Sequence, residues 1–122
     1  MSSLPVFLLK KLYVKRSLKN TSAGFEVTIQ NTIAPGTIVG MLPLSVDGDE
    51  CPLERTRVVL SDGTILTTAD VCVQSPLRFG VGERVTVQVD GQSLPPGQHK
   101  IIITPRTKEA GLLHIPAEDV VS

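Results

Sequence analysis

The chain has 122 residues, with twelve basic and twelve acidic side chains, so its formal charge at pH 7 is zero. Three Phe, one Tyr and no Trp offer no platform for stacking bases, and the balanced charge gathers no polyanion, so nucleic-acid binding is not expected. The length suits one domain, residues 1–122, with core enough to fold without metals or a disulfide framework.

The first apolar run, Val6, Phe7, Leu8 and Leu9, is cut short by Lys10 and Lys11. No basic residue precedes it and no small-residue cleavage site follows, so neither a secretory leader nor a membrane span is predicted. Cys51 and Cys72 are the only cysteines; with no histidine near them they read as two thiols rather than a bridge, which fits a cytoplasmic protein.

Leu12, Val14 and Leu18 against Tyr13, Lys15 and Ser17 predict a first strand over 12–18, with Lys10, Lys11, Lys15 and Arg16 on its solvent side and approach. After a turn at 19–24, Phe25, Val27 and Ile29 alternate with Glu26, Thr28 and Gln30, a second strand that closes a hairpin with the first. Residues 31–40, punctuated by Pro35, Gly36 and Gly40, read as a loop of unusual apolarity. Asp-Gly turn signals follow at Asp47-Gly48, Asp62-Gly63 and Asp90-Gly91. Short helical turns are predicted at 52–57 and 116–121, and short strands around Val71 and Val73, Leu77 and Phe79, and 112–115. The clearest unit is 84–104: Val85, Val87 and Val89 on one face of a strand, a stiff bend at Pro95, Pro96 and Gly97, and a second strand with Ile101 and Ile103 inward. Eight or nine strands with no intervening long helix predict an all-β fold, an antiparallel immunoglobulin-like β-sandwich lacking the buried Trp and bridging Cys pair of antibody domains.

Chemistry is sparse. His99, beside the Gly97 bend, suits hydrogen bonding to turn carbonyls, and His114 between Leu113 and Ile115 turns to solvent or an interface. No paired-histidine or clustered-cysteine metal spacing and no Gly-x-Ser-x-Gly elbow is present, and Asp47, Asp49 and Glu50 around Gly48 are ordinary turn chemistry rather than a calcium loop. The expectation is therefore no catalytic residue, no metal ligand and no cofactor in this chain.

Several segments together resemble the small (β) subunit family of bacterial C-glycoside deglycosidases: Ser17, Leu18, Lys19 and Asn20 before Gly24 and Phe25; Leu44, Ser45, Val46, Asp47 and Gly48 with Glu50 and Pro52; Phe79 and Gly80; and Leu94, Pro96, Gly97 and His99. The arginine- and tyrosine-bearing tail of that family is matched only by Arg106. The resemblance implies a non-catalytic β-sandwich subunit of a carbon–carbon lyase complex acting on 3-keto C-glycosides. Its partner would be a larger TIM-barrel catalytic subunit, which would hold a divalent metal. The alternative is a stand-alone sandwich used for binding or self-association as a homo-oligomer.

Either role needs a contact surface. Ile102 faces away from Ile101 and Ile103, Val59 faces away from Val58 and Leu60, and Ile33, Ile38 and Val39 lie in the apolar loop. With Arg106, these six are the expected partner interface.

Overall fold

The computed structural model describes residues 4–91 and 93–121. After Pro5 the apolar run forms a single helical turn, α1 (Val6–Lys10), which buries Leu9. The strand predicted over 12–18 does not form. Leu12, Tyr13 and Leu18 all bury, and adjacent residues such as Leu12 and Tyr13 cannot both face inward from a flat strand. Tyr13 makes one isolated bridge to Ile29, the chain turns at 15–16, and β1 (Lys19–Asn20) is only two residues long.

The remaining strands are β2 (Gly24–Gln30), β3 (Gly36–Met41), β4 (Ser45–Val46), β5 (Asp49–Glu50), β6 (Thr56–Leu60), β7 (Ile65–Thr67) and β8 (Leu77–Phe79). They are followed by β9 (Arg84–Asp90), β10 (Gly97–Ile103), β11 (Pro105–Thr107), β12 (Gly111–Leu112) and β13 (Ile115–Val121). The count exceeds eight or nine because long strands are broken into short pieces. β3 runs on to β4 past Pro43, β10 to β11 at Thr104 and Pro105, and β12 to β13 at 113–114. Proline, lacking an N–H, interrupts a ladder at such points.

One sheet has the order β1-β2-β9-β6-β7; the other two, β13-β10-β4-β5 and β12-β11-β3-β8, are the two halves of those broken strands, all antiparallel. Hydrogen bonds from Leu42 N–H to the Thr104 carbonyl and from Leu113 N–H to the Pro105 carbonyl, each 3.0 Å, carry the ladder across the break. The result is an all-β antiparallel sandwich. Val27, Ile29, Val58, Val85 and Val87 on one layer meet Ile38, Leu44, Ile101, Ile103 and Ile115 on the other in a single buried cluster.

The two strands predicted within 84–104 both form, yet they are not a hairpin. β9 lies between β2 and β6, and β10 between β13 and β4. The bend with Pro95 and Pro96 is too long and stiff for a tight turn, so it carries the chain from one layer to the other, and the valines and isoleucines meet across the core. Likewise 31–40 is half strand, its Pro35 and Gly36 marking the start of β3 rather than interrupting it. The helical turn predicted at 116–121 is strand β13, held by a seven-pair ladder from Gly97–Val121 to Ile103–Ile115. Pro116 is tolerated because β13 is an edge strand. The turn at 52–57 is a short 3-10 helix, Leu53–Arg55.

Gly24 is required by close approach: a Cβ there would overlap the Val89 carbonyl oxygen on β9. Val87 is buried between β2 and β6, whereas Thr86 points outward to bond Thr28 across the strand at 2.9 Å. Val87→Ala should therefore cost on the order of 2 kcal/mol and Thr86→Ala about 0.5 kcal/mol in urea unfolding. Equal losses would mean that the register of β9 is wrong.

Candidate functional site

The first candidate lies at the Asp47-Gly48 turn. Both residues have positive φ, 53° and 90°, as a two-residue hairpin between β4 and β5 demands. Asp47 is braced in that conformation: its Oδ1 accepts from Lys100 N–H at 2.9 Å, and its Oδ2 accepts from His99 Nδ1 at 2.6 Å. His99 Nε2 donates to the Pro95 carbonyl at 2.8 Å. Both ring nitrogens face acceptors, an arrangement that favours the doubly protonated cation.

The Pro95 carbonyl and then the Asp47 carboxylate raise the His99 pKa. The Lys100 amide and then His99 lower that of Asp47. With the folded-state pKa raised, the contribution of His99 to stability is complete below its ordinary value and is lost as pH rises through the folded value. With its own pKa lowered, Asp47 contributes above the ordinary carboxylate range, and that contribution is lost as pH falls through the folded value. Melting temperature should therefore fall on the alkaline side of about pH 6.5 more steeply in the parent than in His99→Gln. Parallel pH profiles would dismiss the brace.

The second candidate joins the two ends of the chain. Tyr13 donates its hydroxyl to Asp119 Oδ2 at 2.5 Å, and the same oxygen accepts from Leu18 N–H at 3.1 Å. Burial, and then the bond to Asp119, push the Tyr13 pKa well above its usual value. Burial alone would raise Asp119, but the donors Tyr13, Val120 and Leu18 outweigh it and hold the carboxylate below its ordinary pKa. Tyr13 is thus a fixed donor and Asp119 a spent acceptor.

Beside Tyr13 a shallow cleft of about 480 Å3 is lined by Lys10, Lys15, Lys100, Ile102, Pro116 and Glu118 among others. A smaller apolar cavity of about 150 Å3 is walled by Leu12, Ile33, Phe79 and Leu113. Asn31 beneath it is fully engaged, donating to the Ala34 and Phe79 carbonyls and accepting from Ile33 N–H.

The six residues expected at an interface do not converge. Val59 on β6 and Ile102 on β10 lie on the outward faces of opposite layers, so they point in opposite directions. Ile38 has no exposed surface at all: it is a core residue on β3, which removes it from any interface. Ile33 is half-buried against the small cavity, Val39 is half-buried on β3, and Arg106 is exposed on β11 alongside Gly40. Ile102, 42% exposed, lies in the cleft with Lys10, Lys15, Lys100 and Glu118. The sequence reading noticed Asp47 and His99 separately without pairing them, and it missed Tyr13 with Asp119 because no local pattern links positions so far apart. Cys51 and Cys72 are free thiols; burial, and then Asp49, raise the Cys51 pKa.

Among the described residues no group of three or more His, Cys, Asp or Glu is placed to hold a metal ion, and no helix is long and apolar enough to cross a membrane. These features define an antiparallel β domain whose His99, Tyr13 and half-buried Asp119 are committed to holding the fold, with a lysine-lined cleft on one face. The family model for the hydroxymethylglutaryl-CoA reductase N-terminal domain matches residues 8–122, and the chain belongs to that family. No curated protein matches it.

The family overturns the resemblance to C-glycoside deglycosidase β subunits, and with it the lyase-subunit reading and a role in carbohydrate metabolism. The segments behind the resemblance have general structural duties: Asp47-Gly48 is a hairpin turn, and His99 is its brace. The barrel partner and its divalent metal followed from that resemblance and gain no support from the family. The alternative of a stand-alone binding or self-association module has no specific support from the match either.

Proposed function

We propose that this chain is a non-catalytic domain of a hydroxymethylglutaryl-CoA reductase system, one that docks against the unit performing the reduction and steadies it. The observation that carries this reading is the family match, which spans nearly the whole chain, residues 8–122. The site chemistry supports it: both nitrogens of His99 are occupied, and Tyr13 is fixed as a donor to Asp119. A cytoplasmic location belongs to the same reading, supported by two thiols that remain unpaired.

The test is co-expression with the catalytic reductase unit from the same source. The expected result is co-elution, a higher melting temperature for the catalytic unit, and no reductase turnover by this chain alone. Separate elution at micromolar concentration with unchanged melting would overturn the reading, as would turnover by this chain alone.

A further inference from the structure

The cleft beside α1 concentrates charge that the chain as a whole balances. Lys10 ends α1, Lys15 follows Tyr13, and Lys100 stands on β10 two residues before Ile102. The pairings Lys100–Glu118 and Ile102–Pro116 set these side chains together on the outward face of the β10–β13 ladder. A second depression on the other side of Tyr13 is lined by Lys10, Lys11 and Lys15 with Gln30, so four lysines surround one fixed ring.

The ion pairs among the described residues are Lys19–Glu26, Arg57–Asp90 and His99–Asp47; none uses any of these four lysines. Glu118, the carboxylate at the rim, accepts instead from the Gln98 amide at 2.8 Å. The surface is thus locally cationic within a neutral molecule. Its lining also includes the apolar Ile102, Pro116 and Ala117, and lysine stems extend such apolar surface while their ammonium groups stay in water.

We infer that this cleft is a docking site for an acidic peptide segment that presents one apolar anchor side chain. Charge complementarity selects the acidic flanks, because the three ammonium groups of the cleft, none in an ion pair among the described residues, gain most from glutamates or aspartates, and like-charged segments are repelled. Ile102 and Pro116, lying among the lysines, select the anchor, since displacing water from this apolar lining favours a leucine or phenylalanine seated between the charged contacts. A bilayer is the poorer fit: interfacial helices insert an apolar face several turns long, whereas α1 is a single turn. The inference goes beyond the proposed role and holds whichever polypeptide supplies the segment.

The probe is a fluorescein-labelled peptide in which leucine and phenylalanine are flanked by glutamates, titrated with the full chain by fluorescence anisotropy. Binding is expected to saturate and to weaken about tenfold between low and moderate salt. The triple variant K10E/K15E/K100E should lose about tenfold or more, and Ile102→Asp should weaken binding although its melting temperature stays near that of the parent. If the triple variant fails to fold, Lys100→Glu alone is read in its place. The proposal is overturned if the peptide does not saturate, if charge reversal leaves its affinity unchanged, or if replacing the leucine and phenylalanine by alanine has no effect. Retention on phosphatidylserine vesicles without peptide binding would also overturn it, in favour of a lipid surface.

Discussion

Ile38→Asp should unfold the protein under conditions in which Ile102→Lys leaves it folded. Ile38 is completely buried on β3, where the Thr37–Arg78 and Ile38–Leu77 pairings hold the strand against β8. The substitution forfeits the burial of an isoleucine, about 1.5–3 kcal/mol. It also places a carboxylate where no cation or hydrogen-bond donor is arranged to receive it, so the total is on the order of 4–5 kcal/mol. Against a domain stability of about 5–15 kcal/mol, that is most or all of the margin. Ile102 loses little, since its lysine replacement can reach water from the outward face of β10; about 0.5 kcal/mol is expected. Urea midpoints measure both. Similar losses would place Ile38 outside the core and reopen its surface role.

Asp119→Ala should be the most damaging change outside the apolar core, costing about 2–4 kcal/mol. One carboxylate oxygen holds both the Tyr13 hydroxyl and the Leu18 amide, and Leu18 and Tyr13 are themselves buried. Removing the carboxylate takes the acceptor from two part-buried donors. Tyr13→Phe leaves the carboxylate its backbone donors and should cost only about 1 kcal/mol.

The pH signs are opposite at the two ends of this contact. The Asp119 pKa is lowered, so its contribution is present above the ordinary carboxylate value and is lost as pH falls through the folded one. The Tyr13 pKa is raised, so its contribution is complete below the ordinary phenol value and is lost as pH climbs beyond it. Thermal melts across pH should show the acid limb flattened in Asp119→Ala; an unchanged acid limb would exclude Asp119 as the anchor. Because Tyr13 also walls the lysine-rimmed cleft, the same contact fixes the shape of that surface.

The family assignment shows how local signals can mislead. The Leu44-to-Gly48 stretch and the Pro96-Gly97-His99 stretch resembled a different family because turn chemistry is shared by many β-sandwiches. In this fold they form a hairpin turn and its imidazole brace, duties that any such sandwich could assign to them.

Alternation at Phe25, Val27 and Ile29 and at Val85, Val87 and Val89 determined two strands and the faces they bury, because side-chain direction along a strand has a period of two and needs no partner to specify it. Asp47-Gly48 and Asp62-Gly63 likewise determined tight connections, since each supplies a residue that tolerates positive φ. Which strands pair was decided only in three dimensions. Asp90-Gly91 ends β9 with Asp90 bound to Arg57 of β6 at 2.6 Å, and the chain then crosses layers instead of folding back. Residues 116–121 became strand because the β10 ladder outweighed a weak local preference for helix. Tyr13 found Asp119, and Lys10, Lys15 and Lys100 came to share one cleft, because packing the two layers brought together segments whose separation along the chain carries no pattern for a sequence to display.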